Sequence, residues 1–114
     1  MRFDLHRGTL NIGQTLQDSI KRRLQFALSR FGVRVRRVTV TLAEARRDSA
    51  DSPDTYCRMT VQLAPAGKVR VEVTDTDLEN ALRRALERIE RAVDREIVRA
   101  RENGGTREAR SASG

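Results

Sequence analysis

The sequence is poor in the residues that most often carry enzyme chemistry or covalent cross-links. Its 114 residues include one cysteine, one histidine and no tryptophan. A single cysteine excludes an internal disulfide framework, and Cys57 falls on an alternating apolar face where a buried free thiol is expected. The chain has no Gly-rich phosphate loop and no CxxC or HExxH motif. We therefore expect no catalytic residues, no cofactor, no metal site and no small-molecule substrate.

Long hydrophobic runs are also lacking. No apolar stretch approaches the roughly 20 residues that a membrane-spanning helix needs. The first residues, MRFDLHRG, are polar and charged, which is unlike an export signal. We expect a cytoplasmic protein without a membrane partner, and the length suits one domain.

What the sequence has in excess is arginine. Lys and Arg number 23 against 16 Asp and Glu, which gives a formal net charge of +7, and only Lys21 and Lys68 are lysines. The planar guanidinium group binds phosphates through paired hydrogen bonds. An anionic partner is expected, and charge alone leaves nucleic acid, an anionic membrane surface and an acidic protein open.

Hydrophobic periodicity predicts the order β-α-β-β-β-α. Apolar and polar residues alternate, as in half-buried strands, over residues 2–7, 38–43, 57–63 and 68–73. Between the first two strands, apolar residues recur with helical spacing over 16–31, and Gly32 closes this helix. Since each strand has only one apolar face, both helices are expected on the same side of a four-stranded sheet. The class is α+β, and the first helix permits a right-handed crossover between parallel strands one and two.

The second helix is expected to begin at a capping box, TDLE at residues 76–79, and to end at the Asn103-Gly104-Gly105 break. Residues 1–102 are then one domain. Residues 103–114 are rich in Gly, Ser and charge and are expected to be disordered. The nearby Asp75 and Asp77 are explained by capping and need no metal.

Charge on the second helix is sorted by side. At 100° per residue, five arginines fall within about 80° of one another and form a row about 20 Å long: Arg84, Arg88, Arg91, Arg95 and Arg99. Acidic residues lie on the opposite flank of the apolar stripe. The row is either a phosphate-binding surface or a solvated helix face with pairs such as Glu87 and Arg91. Segregated signs and the net charge favour phosphate binding, with a log-log salt slope of about −3.5 to −4.5 for five phosphates.

The first helix adds four basic residues: Lys21, Arg22, Arg23 and Arg30. Phe26 lies between basic residues, and an aromatic ring in such a setting can stack on an unpaired base. Since Phe26 borders the apolar stripe, however, we expect it at the edge of the core.

The ordered elements resemble those of a known family, the short ribosome hibernation-promoting factors and ribosome-associated inhibitors of bacteria and plastids. The resemblance spans about residues 1–100. It rests on the L-x₃-I-x₃-L pattern ending at Arg30-Phe31, on VTVTL at 38–42, on the alternating strand pair, and on DLENAL at 77–82 opening a basic last helix.

The resemblance implies a fold like a double-stranded RNA-binding domain with an extra strand. It also implies binding to the small ribosomal subunit, in the channel for messenger and tRNA, and a block of translation during starvation or stress. The family's basic helices face ribosomal RNA, which points to the arginine row first and to the basic residues of the first helix second. Long family members pair two ribosomes through a further C-terminal domain that this sequence lacks, so pairing is expected to need another factor.

Two other functions stay open at this point. A generic double-stranded RNA-binding module would share the fold and the row but bind isolated duplexes. A structural or oligomerisation domain would use the solvent-exposed face of the sheet. The residues Thr39, Thr41, Thr60 and Gln62 on that face are more polar than the core of a typical protein interface. We expect a monomer.

Overall fold

The computed structural model describes residues 1–45 and 53–113, with only the backbone described from residue 103 onward. Its elements are β1 (Arg2–His6), α1 (Gln14–Leu28), a 3₁₀ turn (Ser29–Arg34), β2 (Val35–Ala45), β3 (Asp54–Leu63), β4 (Lys68–Asp75) and α2 (Leu78–Ser113). This order confirms the predicted α+β arrangement. The polar sequence RRDSADSPDT at 46–55, which separates the second and third predicted strands, falls largely on residues 46–52, outside the described residues.

The four strands form one mixed sheet in the order β1-β2-β3-β4. β1 runs parallel to β2, as expected for strands joined through a helix, and the other neighbouring pairs are antiparallel. The β3–β4 hairpin is closed by the Leu63 N–H, which donates to the Gly67 carbonyl at 2.9 Å. The sheet therefore has one continuous inner face and one outer face.

Both helices pack on the inner face, because only that face is apolar. Val38, Val40 and Val61 of the sheet are fully buried. They share one core with buried residues of α1 (Ile20, Leu24, Leu28) and α2 (Ala81, Ala85, Ile89, Val93). Full burial of each large aliphatic side chain contributes about 1.5–3 kcal/mol, so this layer carries most of the stabilisation.

The ends of the helices differ from the predicted ones. α1 ends at Leu28, and the chain passes through a 3₁₀ turn in which Gly32 has φ +58°. The cap of α2 is Asp77, whose Oδ2 accepts from the Asn80 N–H at 3.3 Å. The capping box with Thr76 was therefore placed one residue early; Asp75 accepts hydrogen bonds from the Thr76 hydroxyl and the Asp77 N–H instead.

α2 also continues past the predicted break at Asn103-Gly104-Gly105 to Ser113. A glycine costs a helix about 1 kcal/mol but creates no steric block, so a helix can run through two of them. The division into a domain of residues 1–102 and a separate tail stays a prediction.

Gly8 is required by the backbone. Its φ is +59°, and an added Cβ would lie 2.9 Å from the Leu42 carbonyl oxygen. We expect Gly8→Ala to lower the free energy of unfolding by about 1–3 kcal/mol, from a left-handed conformation and a close approach to β2. Urea denaturation measures this. The control is Gly13→Ser at the α1 N-cap, where an added Cβ meets nothing within 4 Å and a Ser should gain a few tenths of a kcal/mol. Equal stability of both variants would contradict the expectation.

Cys57 is fully buried in the core, which confirms the sequence expectation. Burial raises the pKa of its thiol to about 12. Since the thiolate is the reactive form, we expect no alkylation by iodoacetamide at pH 8 in the folded protein and rapid alkylation in urea. Mass spectrometry follows the reaction. Fast labelling of the native protein would show that this part of the sheet opens readily.

Candidate nucleic-acid interface

The arginine row of α2 lies on the flank of the helix that faces β4. At its first turn, Arg84 Nη1 is 3.0 Å from Asp75 Oδ2 at the end of β4. One turn later, Arg88 Nη1 lies 3.5 Å from the Glu72 carbonyl oxygen, which is long for a hydrogen bond. The row therefore begins against the edge strand and leads away from the sheet.

The rest of the row is open to solvent. The side chains of Arg91 and Arg99 are 73% and 63% exposed. Their nearest acids are Glu87 at 4.0 Å and Glu96 at 3.8 Å, loose surface pairs that contribute little. Arg95 is exposed and has no ion-pair partner among the described residues. Arg91, Arg95 and Arg99 share a surface depression with Asp94 and Glu102, so an incoming phosphate would meet three guanidinium groups beside two carboxylates.

The opposite flank of α2 faces α1 and holds the acids that the sequence placed there. Arg23 pairs with Glu79. Arg30 lies 3.6 Å from a carboxylate oxygen of Glu90 and 3.9 Å from one of Asp94. Arg23 of α1 and Arg30, which lies in the following 3₁₀ turn and not in the first helix as expected, are thus paired with acids of α2. The structure does not bring these two predicted RNA-binding residues to the row.

The other two α1 cations have different surroundings. Lys21 Nζ lies 5.7 Å from the centre of the Phe3 ring, a cation–π distance. Arg22 is exposed and has no ion-pair partner in the part of the chain that the structure describes. They are free to meet an anion, but on a surface apart from the row.

The expectation that Phe26 borders the core was wrong. Its side chain is 85% exposed. The reason is angular: Phe26 lies two positions from both Leu24 and Leu28, and two residues of helix turn through about 200°. Since those two leucines define the buried side, Phe26 points to solvent. Arg30 stacks on a different ring, Phe31, at 4.4 Å.

The structure also shows cations that the sequence analysis left unassigned. Arg37, Arg58, Lys68 and Arg70 lie together on the outer face of the sheet, where they line a shallow depression of about 300 Å³. The period-two alternation of β2, β3 and β4 already assigned these cations to the solvent-exposed face of the sheet. Their proximity required the strand register, which periodicity does not provide.

Asp75 joins β4 to the start of α2. The hydrogen bond from Arg84, helped by the Asp77 N–H, holds the pKa of this carboxyl below its ordinary value. Arg84 is therefore a structural residue before it is a phosphate ligand.

Among the described residues, no group of three or more His, Cys, Asp or Glu side chains is arranged to hold a metal ion. None of the helices, over their described residues, is long and apolar enough to cross a membrane.

These features define a class: a small α+β protein with two helices on one face of a mixed sheet and a cationic helix flank. The chain belongs to the family described as sigma 54 modulation protein / S30EA ribosomal protein, whose model matches residues 6–101. This is a family of ribosome-associated modulation proteins, and the resemblance to the hibernation-promoting factors is confirmed.

Solved structures agree with this membership. The N-terminal domain of Protein Y from Thermus thermophilus is 29% identical, with a TM-score of 0.67 over 83% of this chain and 98% of that one. A ribosomal subunit interface protein from Coxiella burnetii has a TM-score of 0.69 at 10% identity, over 86% and 99% of the two chains, and shows the shared fold alone. A search of curated proteins found no match.

The contact between Arg84 and Asp75 has a pH signature. Because the pKa of Asp75 is lowered in the folded protein, its contribution is present above the ordinary value of about 4 and is lost as pH falls through the folded-state pKa. We expect Arg84→Ala to lower the free energy of unfolding at pH 7, with the deficit shrinking below pH 4. Urea titrations at several pH values measure it. Arg95→Ala, which breaks no ion pair in the described residues, should leave stability unchanged; an equal loss there would contradict this assignment.

Proposed function

We propose that the protein is a translation inhibitor or hibernation factor that binds ribosomal RNA of the small subunit, in the channel for messenger and tRNA. Binding goes through the arginine row of α2. The observation that carries the proposal is the exposed run of Arg88, Arg91, Arg95 and Arg99, whose nearest acids form only loose surface pairs. Family membership supplies the ribosome as the partner and the cytoplasm as the place of action.

The mechanism is electrostatic and steric. Guanidinium groups along the helix neutralise successive phosphates and release their counterions. Such contacts position the protein on RNA without reading its bases, so shape and backbone geometry decide where it binds. A bound domain that fills the channel excludes messenger and the anticodon arm of tRNA. No covalent step is involved, and the absence of enzymatic activity stays a prediction.

In this proposal the predicted site residues have two different roles. The exposed part of the row forms the principal surface, since Arg84 is held by Asp75. In the secondary group, Lys21 and Arg22 are available for a peripheral contact. Arg23 and Arg30 contribute by holding the two helices together through their carboxylate partners.

The test is co-sedimentation of the purified protein with vacant small subunits, with deacylated tRNA and messenger as competitors. We expect stoichiometric binding that both competitors reduce. The variant Arg88→Glu/Arg91→Glu/Arg95→Glu should lose it, and its log-log salt slope should be smaller by about 2 to 3, because three phosphate contacts are gone.

The matched control replaces the same three residues with lysine. It retains the charge that neutralises phosphates, so it should still sediment with subunits, compete with tRNA and keep the wild-type salt slope. Binding without competition, or binding by the glutamate variant, would remove the channel-blocking mechanism. High affinity for free duplex RNA at physiological salt would favour a generic double-stranded RNA-binding module.

A further inference from the structure

The outer face of the sheet holds more cations than acids, and the cations meet in one depression. The depression on this face is lined by four of them, Arg37, Arg58, Lys68 and Arg70, and by no carboxylate. Its remaining lining is made of neutral hydrogen-bonding side chains, Thr39, Thr60 and Gln62. All are polar, and none is aromatic.

The strand register explains why these residues meet. Arg37 of β2 is opposite Gln62 of β3, which is opposite Lys68 of β4. The next row on the same face places Thr60 between Thr39 and Arg70. Arg58 lies in the following row, opposite Glu72. Neighbouring strands are about 4.8 Å apart and alternate residues about 6.8 Å apart, so the four cations form a two-dimensional lattice around a neutral centre.

The acids beside this lattice are already occupied. Asp4 Oδ2 lies 3.1 Å from Arg37 Nε at the β1 side. Glu72 Oε1 lies 3.5 Å from Arg70 Nε. Lys68 is exposed and has no ion-pair partner among the described residues. The surface therefore presents excess positive charge to solvent. Neutral polar side chains would be enough for a solvent-exposed sheet face, so exposure alone does not explain this excess.

We propose that the outer face of the sheet is a second RNA-binding surface, which takes the phosphodiester backbone of an RNA strand across Arg37, Arg58, Lys68 and Arg70. Guanidinium and ammonium groups contact phosphates, while the Thr and Gln side chains hydrogen-bond to phosphate or ribose oxygens. With no aromatic ring in the depression, bases are not stacked, and recognition is independent of sequence.

RNA is favoured over an acidic protein because the face is continuous with the arginine row. β4 is the edge strand: Lys68 and Arg70 lie on its outer side, and Arg88 of α2 reaches its backbone at Glu72. Cations thus lie on both sides of this edge, and the acid between them, Glu72, is paired with Arg70. The inference rests on the proposed function in taking RNA as the partner. It adds that the domain contacts RNA on two opposite sides, as a body lodged between two RNA walls would.

The two lysines of the chain make the test specific. Lys68 lies in the depression and Lys21 lies on α1 beside Phe3, so acetylation by an N-hydroxysuccinimide ester reports the two surfaces separately by mass spectrometry. The probe is an oligouridylate of about 20 nucleotides, longer than the roughly 4–16 nucleotides that one domain typically covers. The full chain is used at low salt, with poly-glutamate of equal charge as a second probe.

We expect the oligouridylate to slow acetylation of Lys68 severalfold, also in the Arg88→Glu/Arg91→Glu/Arg95→Glu variant. Arg58→Gln/Arg70→Gln should abolish this protection and lower the salt slope of binding by about 1.4. Arg58→Lys/Arg70→Lys, compared by salt slope, should bind like the wild type. Circular dichroism confirms that each variant is folded.

An unprotected Lys68 in the presence of bound oligouridylate would overturn the second surface, as would failure of the oligouridylate to bind at all. Protection by poly-glutamate equal to that by RNA would overturn the assignment to phosphodiesters. The proposed function is tested by a separate experiment, the co-sedimentation with small subunits, so the two proposals can fail independently. If the protein sediments with small subunits in competition with tRNA while Lys68 stays reactive toward the ester, the proposed function stands and the second RNA-binding surface is wrong.

Discussion

The fully buried Ala81 and Ala85 let the first turns of α2 approach the sheet closely, and Ile89 and Val93 then continue the same buried stripe. This packing sets the rotation of the helix about its own axis. Once the apolar stripe is fixed against the sheet, each flank has a defined neighbour: the acids meet α1 and the arginines meet β4. A rotation of α2 would expose the stripe and cost several kcal/mol of buried apolar area, so the core holds the charges in place.

Two sets of ion pairs at the flanks of α2 follow from that rotation. On the α1 side, Arg23 and Arg30 complement the acidic flank of α2, and the contact between the helices is polar at its rim. On the β4 side, Asp75 binds Arg84 and also receives backbone N–H and hydroxyl donors at the helix start. The positive excess is thereby displaced from the centre of the domain to its surfaces, where a polyanion can reach it.

A sheet with one covered face leaves the other available for recognition. Here the uncovered face carries threonines and a glutamine at its centre with cations around them, and its acids Asp4 and Glu72 are paired with Arg37 and Arg70. A module that is basic around an edge strand differs from one with a single binding stripe, because it can touch RNA from more than one direction. The arrangement suits a partner that surrounds it.

The sequence by itself determined the order of elements, the α+β class, the apolar faces and the existence of the arginine row, because period 2 and period 3.6 are local properties of the chain. It did not determine the helix ends, since Asp77 instead of Thr76 caps α2 and two glycines do not stop it. Nor did it determine which cations are free: Arg23 and Arg30 look like Arg91 and Arg95 in sequence, and only packing of α1 against α2 pairs the first two with acids. The cationic depression on the sheet is the clearest case, because its residues come from three strands and meet only through register, which is a long-range property.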